Sequence, residues 1–174
     1  MDPFVERMAA YAAEHRQTRT RLTHFVGVPL IVLAVLVLLA MVHIDLGPAT
    51  ADLALVLVAV ALGSCAAQHA AVGAMLALLV LPLLLLAEWL AAQPPAQALG
   101  WALGLFVVGW AVQLVGHRFE GNRPAFLDNL AHLVIAPAYL TAELLFALGL
   151  EDELREQIER QVAARGTTTR AAAE

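Results

Sequence analysis

The chain predicts an all-α fold, a polytopic transmembrane bundle of about five spans with a histidine-rich site at its cytoplasmic face. Three observations carry that expectation. Hydrophobic residues make up 61% of the 174, charged residues only 14%, and mean hydropathy is +0.76, whereas a soluble domain is about half apolar and a quarter charged. So little polar surface argues against a water-soluble globular enzyme. The apolar residues also gather into five runs of 16 to 21 residues, and ~20 residues of helix span a hydrocarbon core. Aromatic residues are only 6%, with Ala, Leu and Val dominant, which argues against a membrane barrel with aromatic girdles.

The elements follow in order. The first 24 residues are polar and carry Arg7, Arg16, Arg19 and Arg21. Spans are expected at about 25–42, 50–67, 72–92, 98–116 and 129–149. The second is apolar only from Asp52 to Ala67 and borrows Ala49–Ala51 to reach across. It cannot be continuous with the third, because 52 to 92 is 41 residues, about 60 Å of helix. The chain must turn near Ser64–Gly73, where Gln68 and His69 interrupt the run. The small residues Gly63–Ala67 suit close helix packing. The long polar lead disfavours a cleavable signal in the first run. Residues 1–150 form one integral membrane domain and 151–174 a charged tail. Leu154, Ile158 and Val162 give that tail a thin helical stripe, and it frays from Gly166.

Arginine sets the orientation. Arg118 and Arg123 lie between the fourth and fifth spans, while 43–51 and 93–97 hold no arginine. A cytoplasmic N-terminus puts both arginine-bearing segments inside, in a bacterial inner membrane if the Lys-free, Arg- and Ala-rich composition is bacterial. A full fifth span would put the tail outside, unless that span is re-entrant or broken at Pro137. The single Cys65 forms no internal disulfide, no basic cluster suggests nucleic acid, and oligomeric state is not legible.

On this topology five of six histidines, His15, His24, His69, His117 and His132, gather at the cytoplasmic face, with His43 opposite. Gln113, His117 and Glu120 share a helix face at i, i+4 and i+7. His132, Tyr139 and Glu143 form a second stripe. Ionisable groups in membrane helices are costly and point to function, and Pro29 and Pro124 would break helices nearby. Each histidine alone could be a polar anchor, and His69 reads more simply as a turn residue. Several at one depth fit a metal site better. Imidazole suits Fe, Zn, Cu and Ni alike, and Glu120 could complete a two-histidine, one-carboxylate iron site. Arg118 and Arg123 could meet a substrate carboxylate. The residues themselves leave open an interfacial metal enzyme acting on an amphipathic acid, a metal- or haem-binding membrane protein, and a small transporter.

Two signatures narrow this. Tyr11-x3-His15 followed by His24-Phe25-Val26-Gly27-Val28-Pro29-Leu30 is one. The other is Trp110-x2-Gln113-x2-Gly116-His117-x2-Glu120-Gly121-x-Arg123-Pro124-Ala125, followed by Asp128-Asn129-Leu130 and Ala136-Pro137. Together they resemble the 2-hydroxy fatty acid dioxygenase family, over the chain from about Tyr11 to Glu143. The resemblance implies a small multi-span protein using Fe(2+) and O2 to shorten a 2-hydroxy fatty acid by one carbon, a step of α-oxidation. It implies His15, His24 and His117 as metal ligands with His132 as a fourth. Gln113 and Glu120 would orient those imidazoles, Tyr139 would serve catalysis, and Arg118 or Arg123 would hold the head group. Thr20 stands where the family commonly has Asn.

Overall fold

The computed structural model describes residues 2–15, 17–45, 50–120 and 131–171, with side chains at all of these except 120, 131–134 and 166–171. Four apolar stretches form antiparallel helices in chain order: α2 (Thr18–Ala40), α3 (Leu53–Gln68), α4 (Ala70–Ala91) and α5 (Pro95–Glu120). Thr18–Ala40, Ala70–Ala91 and Pro95–Phe119 are long and apolar enough to cross a membrane. Around them sit α1 (Pro3–Glu14), α6 (Ala131–Ala147) and α7 (Asp152–Ala171).

The second expected span is shortened at its start. Residues Thr50–Asp52 form strand β2, which pairs antiparallel with β1 (His43–Asp45) in the register His43↔Asp52. The Asp52 carboxylate accepts the Leu55 amide at 2.8 Å, and a capping carboxylate fixes where a helix begins. That leaves α3 with 16 residues, about 24 Å. As expected, α3 and α4 are separate. His69 alone, in extended conformation, joins them. A Cβ on Gly73 would come within 2.5 Å of the Ala66 backbone, so the small-residue run does permit close approach beside this turn.

α2 and α5 form the most extensive helix pair, because glycines let their backbones approach. A Cβ on Gly109 would meet Ile31 Cγ1 at 2.8 Å, and one on Gly116 would overlap the Thr23 hydroxyl. Pro29 does not break α2, nor does Pro137 break α6. Both helices run through them, as membrane-embedded helices tolerate when neighbours satisfy the freed backbone groups. Pro124 lies outside the described residues.

Part of the polar N-terminal segment is a helix. Asp2 caps α1, accepting the Phe4 amide at 2.8 Å, and Pro3 opens it. α1 buries Phe4, Val5, Met8, Ala9 and Tyr11 and packs on α6 and α7. Leu154 and Ile158 are buried in that contact with Val162 against them, as the tail's stripe predicts. α7 continues through Gly166 to Ala171 instead of fraying.

This packing changes the expected position of the tail. α6 ends in a left-handed glycine cap: Gly149 has φ +71, the Gly149 amide donates to Phe146 O at 3.1 Å, and the Leu150 amide donates to Leu145 O at 2.9 Å. Such a cap stops a helix and reverses the chain. Just beyond it, the Glu151 carboxylate lies 3.4 Å from His69 Nε2 at the α3–α4 turn, and His69 stacks on Phe4 of α1 with ring centroids 5.8 Å apart. The tail therefore shares the end of the bundle that holds α1, not the opposite end.

Candidate metal centre

Three elements each deliver one imidazole to the same place. His15 caps the C-terminus of α1, His24 lies in the second turn of α2, and His117 lies in the last turn of α5. All three are buried, and one ligating atom from each lies within 4.8 Å of the others. The rings meet edge to face, with centroids 4.7 Å apart for His15 and His24, 5.4 Å for His15 and His117, and 5.0 Å for His24 and His117.

Local hydrogen bonds decide what these rings present. His15 Nδ1 lies 2.9 Å from Tyr11 O, and His24 Nδ1 lies 2.7 Å from Thr20 O. A carbonyl only accepts, so in both rings Nδ1 carries the hydrogen and neutral Nε2 keeps a lone pair. Metal-ligating histidines are typically oriented in this way. Two lone pairs and the His117 ring sharing one buried space fit a cation.

The surroundings hold the rings in place. Thr20 is fully buried. Its hydroxyl donates to Gly116 O on α5 at 3.1 Å, while its carbonyl accepts a hydrogen bond from His24 Nδ1. This one residue therefore ties two of the three histidine-bearing segments together. Tyr11 stacks on His15 at 4.1 Å with the rings 10° apart, and Tyr139 lies 4.9 Å beyond it. Burial, with Glu14 adding to it, pushes the Tyr11 phenol above its ordinary range, so it stays protonated. Tyr139 donates to Glu143 at 2.7 Å, and Glu143 pairs with Arg21 at 2.9 Å, fastening α6 to the base of α2.

A cavity of about 640 Å³ opens from the three histidines, well within the range of small-molecule sites. Gln113 shares its polar end. Its walls then turn apolar along α2, α3 and α4 as far as Leu36 and Val58. Arg7 and Gln68 line it beside α1. Arg7 donates to the Gln68 side chain, and Gln68 donates to Ser64 O at 2.9 Å.

Of the residues singled out from sequence, His15, His24 and His117 come together and Gln113 joins them. Tyr139 approaches the triad through Tyr11. Arg118 is exposed and lines no part of the cavity, because the residue after His117 points about 100° away around a helix. Arg123 lies outside the described residues, as do the side chains of Glu120 and His132. His69 acts as the turn residue, and His43 sits exposed on the ribbon. Sequence reasoning missed Arg7, and with it α1. The signal was there: Phe4, Met8, Tyr11 and His15 stand at i, i+4, i+7 and i+11, one face of a helix.

A family model described as 2-hydroxy-palmitic acid dioxygenase Mpo1-like matches residues 1–148. The 2-hydroxy-palmitic acid dioxygenase MPO1 of Saccharomyces cerevisiae is 47% identical over 62 residues, which are 34% of this chain and 36% of the yeast protein. The match thus spans about a third of that relative's length. No solved structure matches. Residues 1–148 contain all three clustered imidazoles and the cavity they open onto, and over that range the chain belongs to the Mpo1-like family.

Proposed function

We propose that this protein is an Fe(II)-dependent dioxygenase that shortens 2-hydroxy fatty acids by one carbon at a membrane surface. The observation that carries the reading is a buried cluster of three imidazoles at the polar end of a long apolar cavity. An amphipathic acid matches that division, with its head at the histidines and its chain among the aliphatic side chains. The name of the yeast relative supplies the substrate class and the oxygen chemistry.

A ferrous ion held by His15, His24 and His117 would supply dioxygen activation, with His132 as a candidate fourth ligand and Glu120 as an orienting group. The chain's own residues do the rest. The Tyr11 and Thr20 carbonyls keep two imidazoles in the ligating tautomer. Arg7, the cation on the cavity wall, offers charge to a carboxylate in the place first expected of Arg118. The aliphatic walls take up the chain and exclude water from it. The net reaction balances with one O2: a 2-hydroxy acid yields the acid one carbon shorter, CO2 and water.

A b-type haem fits less well. Its macrocycle would lie between two axial imidazoles, and here a third imidazole stands within 5.4 Å of both others.

We also infer four crossings, by α2, α3, α4 and α5. α6 enters and leaves on the face that carries Arg7, Arg19, Arg21 and Arg118, which we take as cytoplasmic.

The test is to purify the protein without oxygen, measure iron, and add 2-hydroxypalmitate with O2. Iron bound one to one, no Soret band, and pentadecanoic acid with CO2 as products are expected. Iron-free protein, or an unshortened substrate, refutes the proposal.

A further inference from the structure

The apolar end of the cavity abuts a separate packed cluster containing Leu33, Leu36, Val37, Ala54, Val58 and Leu84. Only two buried members of that cluster also line the cavity: Leu36 on α2 and Val58 on α3. They are 2% and 4% exposed, so both are packed into that cluster where they meet the cavity. We propose that Leu36 and Val58 form the floor of an acyl-chain ruler and set the longest chain the site accepts. This rests on the functional reading above and adds to it a determinant of chain length.

The depth follows from helix geometry. His24 and Leu36 are twelve residues apart on one continuous helix, about 18 Å. A zigzag of sp³ carbons, with bonds of about 1.52 Å at about 111°, advances about 1.25 Å per bond. The floor therefore lies about fourteen bonds from the histidine level. A chain whose hydroxyl-bearing C2 sits at the histidines reaches the floor near carbon sixteen. A rival path exists on the same wall: Leu57 and Ala61 line the cavity yet are exposed on the outer surface of α3. A chain leaving between them would enter the bilayer and feel no floor.

The test measures binding of unreactive saturated fatty acids of 12 to 22 carbons to metal-free protein in detergent, by displacement of a fluorescent fatty acid. Wild type, Leu36→Ala and Val58→Phe are compared. Each methylene that gains or loses burial changes affinity about fourfold. Wild-type affinity should climb with length to about sixteen carbons and then stop. Val58→Phe should cost the sixteen-carbon acid about fifteenfold, two methylenes' worth, and leave the twelve-carbon acid unchanged. Leu36→Ala should move the limit upward by about two carbons. Val58→Leu and Leu36→Val are milder steps in the same directions if the larger changes unfold the protein. Acids that bind with a limit unmoved by any of the four variants overturn the ruler and leave the functional reading standing. A wild-type protein that binds no acid of any length overturns both.

Discussion

Replacing Gly27 with alanine tests whether the spacing of α2 and α5 builds the histidine cluster. A Cβ at Gly27 would sit 2.6 Å from Gln113 Cγ and 2.9 Å from the Gly109 carbonyl oxygen, where ordinary contact begins near 3.4 Å. The carbonyl belongs to the α5 backbone and cannot rotate away. Taking 2.9 Å from 3.4 Å leaves α5 about half an ångström to withdraw. Such overpacking costs about 1–3 kcal/mol. Alanine also favours helix over glycine by about 1 kcal/mol, so a lone measurement would mix two effects. Gly104→Ala on α5 separates them, since a Cβ there meets nothing within 4 Å and only the helix preference remains. The difference between the variants should therefore be about 1–3 kcal/mol, with Gly104→Ala at or above wild type. Unfolding by sodium dodecyl sulfate in mixed micelles, read by circular dichroism, measures it. The site supplies a second reading. Gly27 is three residues from His24, and Gln113 is one turn from His117. Gly27→Ala should therefore retain less iron, and Gly104→Ala should not. Equal stability and equal iron in the two variants would refute the argument that glycine spacing sets the site.

Three further outcomes are expected. His117→Ala should abolish iron binding, by elemental analysis, with far-ultraviolet circular dichroism unchanged, because the helices pack through other residues. Thr20→Val keeps the volume but loses the hydroxyl bond to Gly116, so unfolding in mixed micelles should show a loss of about 0.5–1.5 kcal/mol and iron should dissociate faster. In a Cys65→Ala background, Arg19→Cys and Gln161→Cys should react with an impermeant maleimide from the same side of a vesicle and Gln93→Cys from the other. Labelling of Gln161→Cys together with Gln93→Cys would contradict the return of α6.

The apolar helices were legible because burial in lipid needs only apolar side chains, and α2 to α5 are written in Leu, Val and Ala, three of them long enough to cross a membrane. The site was legible at His15, His24, His117 and Gln113 because arginine placement put their segments at one face. Composition could not tell at which end of the bundle the chain leaves α6. α6 is as apolar as a span, and its end is decided by the cap at Gly149 and by contacts to residues 80 or more positions away. α1 was hidden for the opposite reason. Its apolar residues are diluted by Glu6, Arg7 and Glu14 and half of them are alanines, so it is less apolar than α2 to α5, and the spacing of the larger ones marks the face that packs. Arg118 stands one position after His117, which on a helix turns its side chain about 100° from the cavity toward solvent.

The pairing of α1 with α7 has a consequence for how the site assembles. His15 is carried by α1, and α1 packs on α6 and α7, which lie far along the chain from it. His24 and His117 meet through the α2–α5 pair itself. Bringing the third imidazole to them closes a much longer loop, and contacts distant in sequence form more slowly than local ones. The packing of α7 against α1 thus bears on how fast the cluster assembles, although α7 supplies none of its three rings.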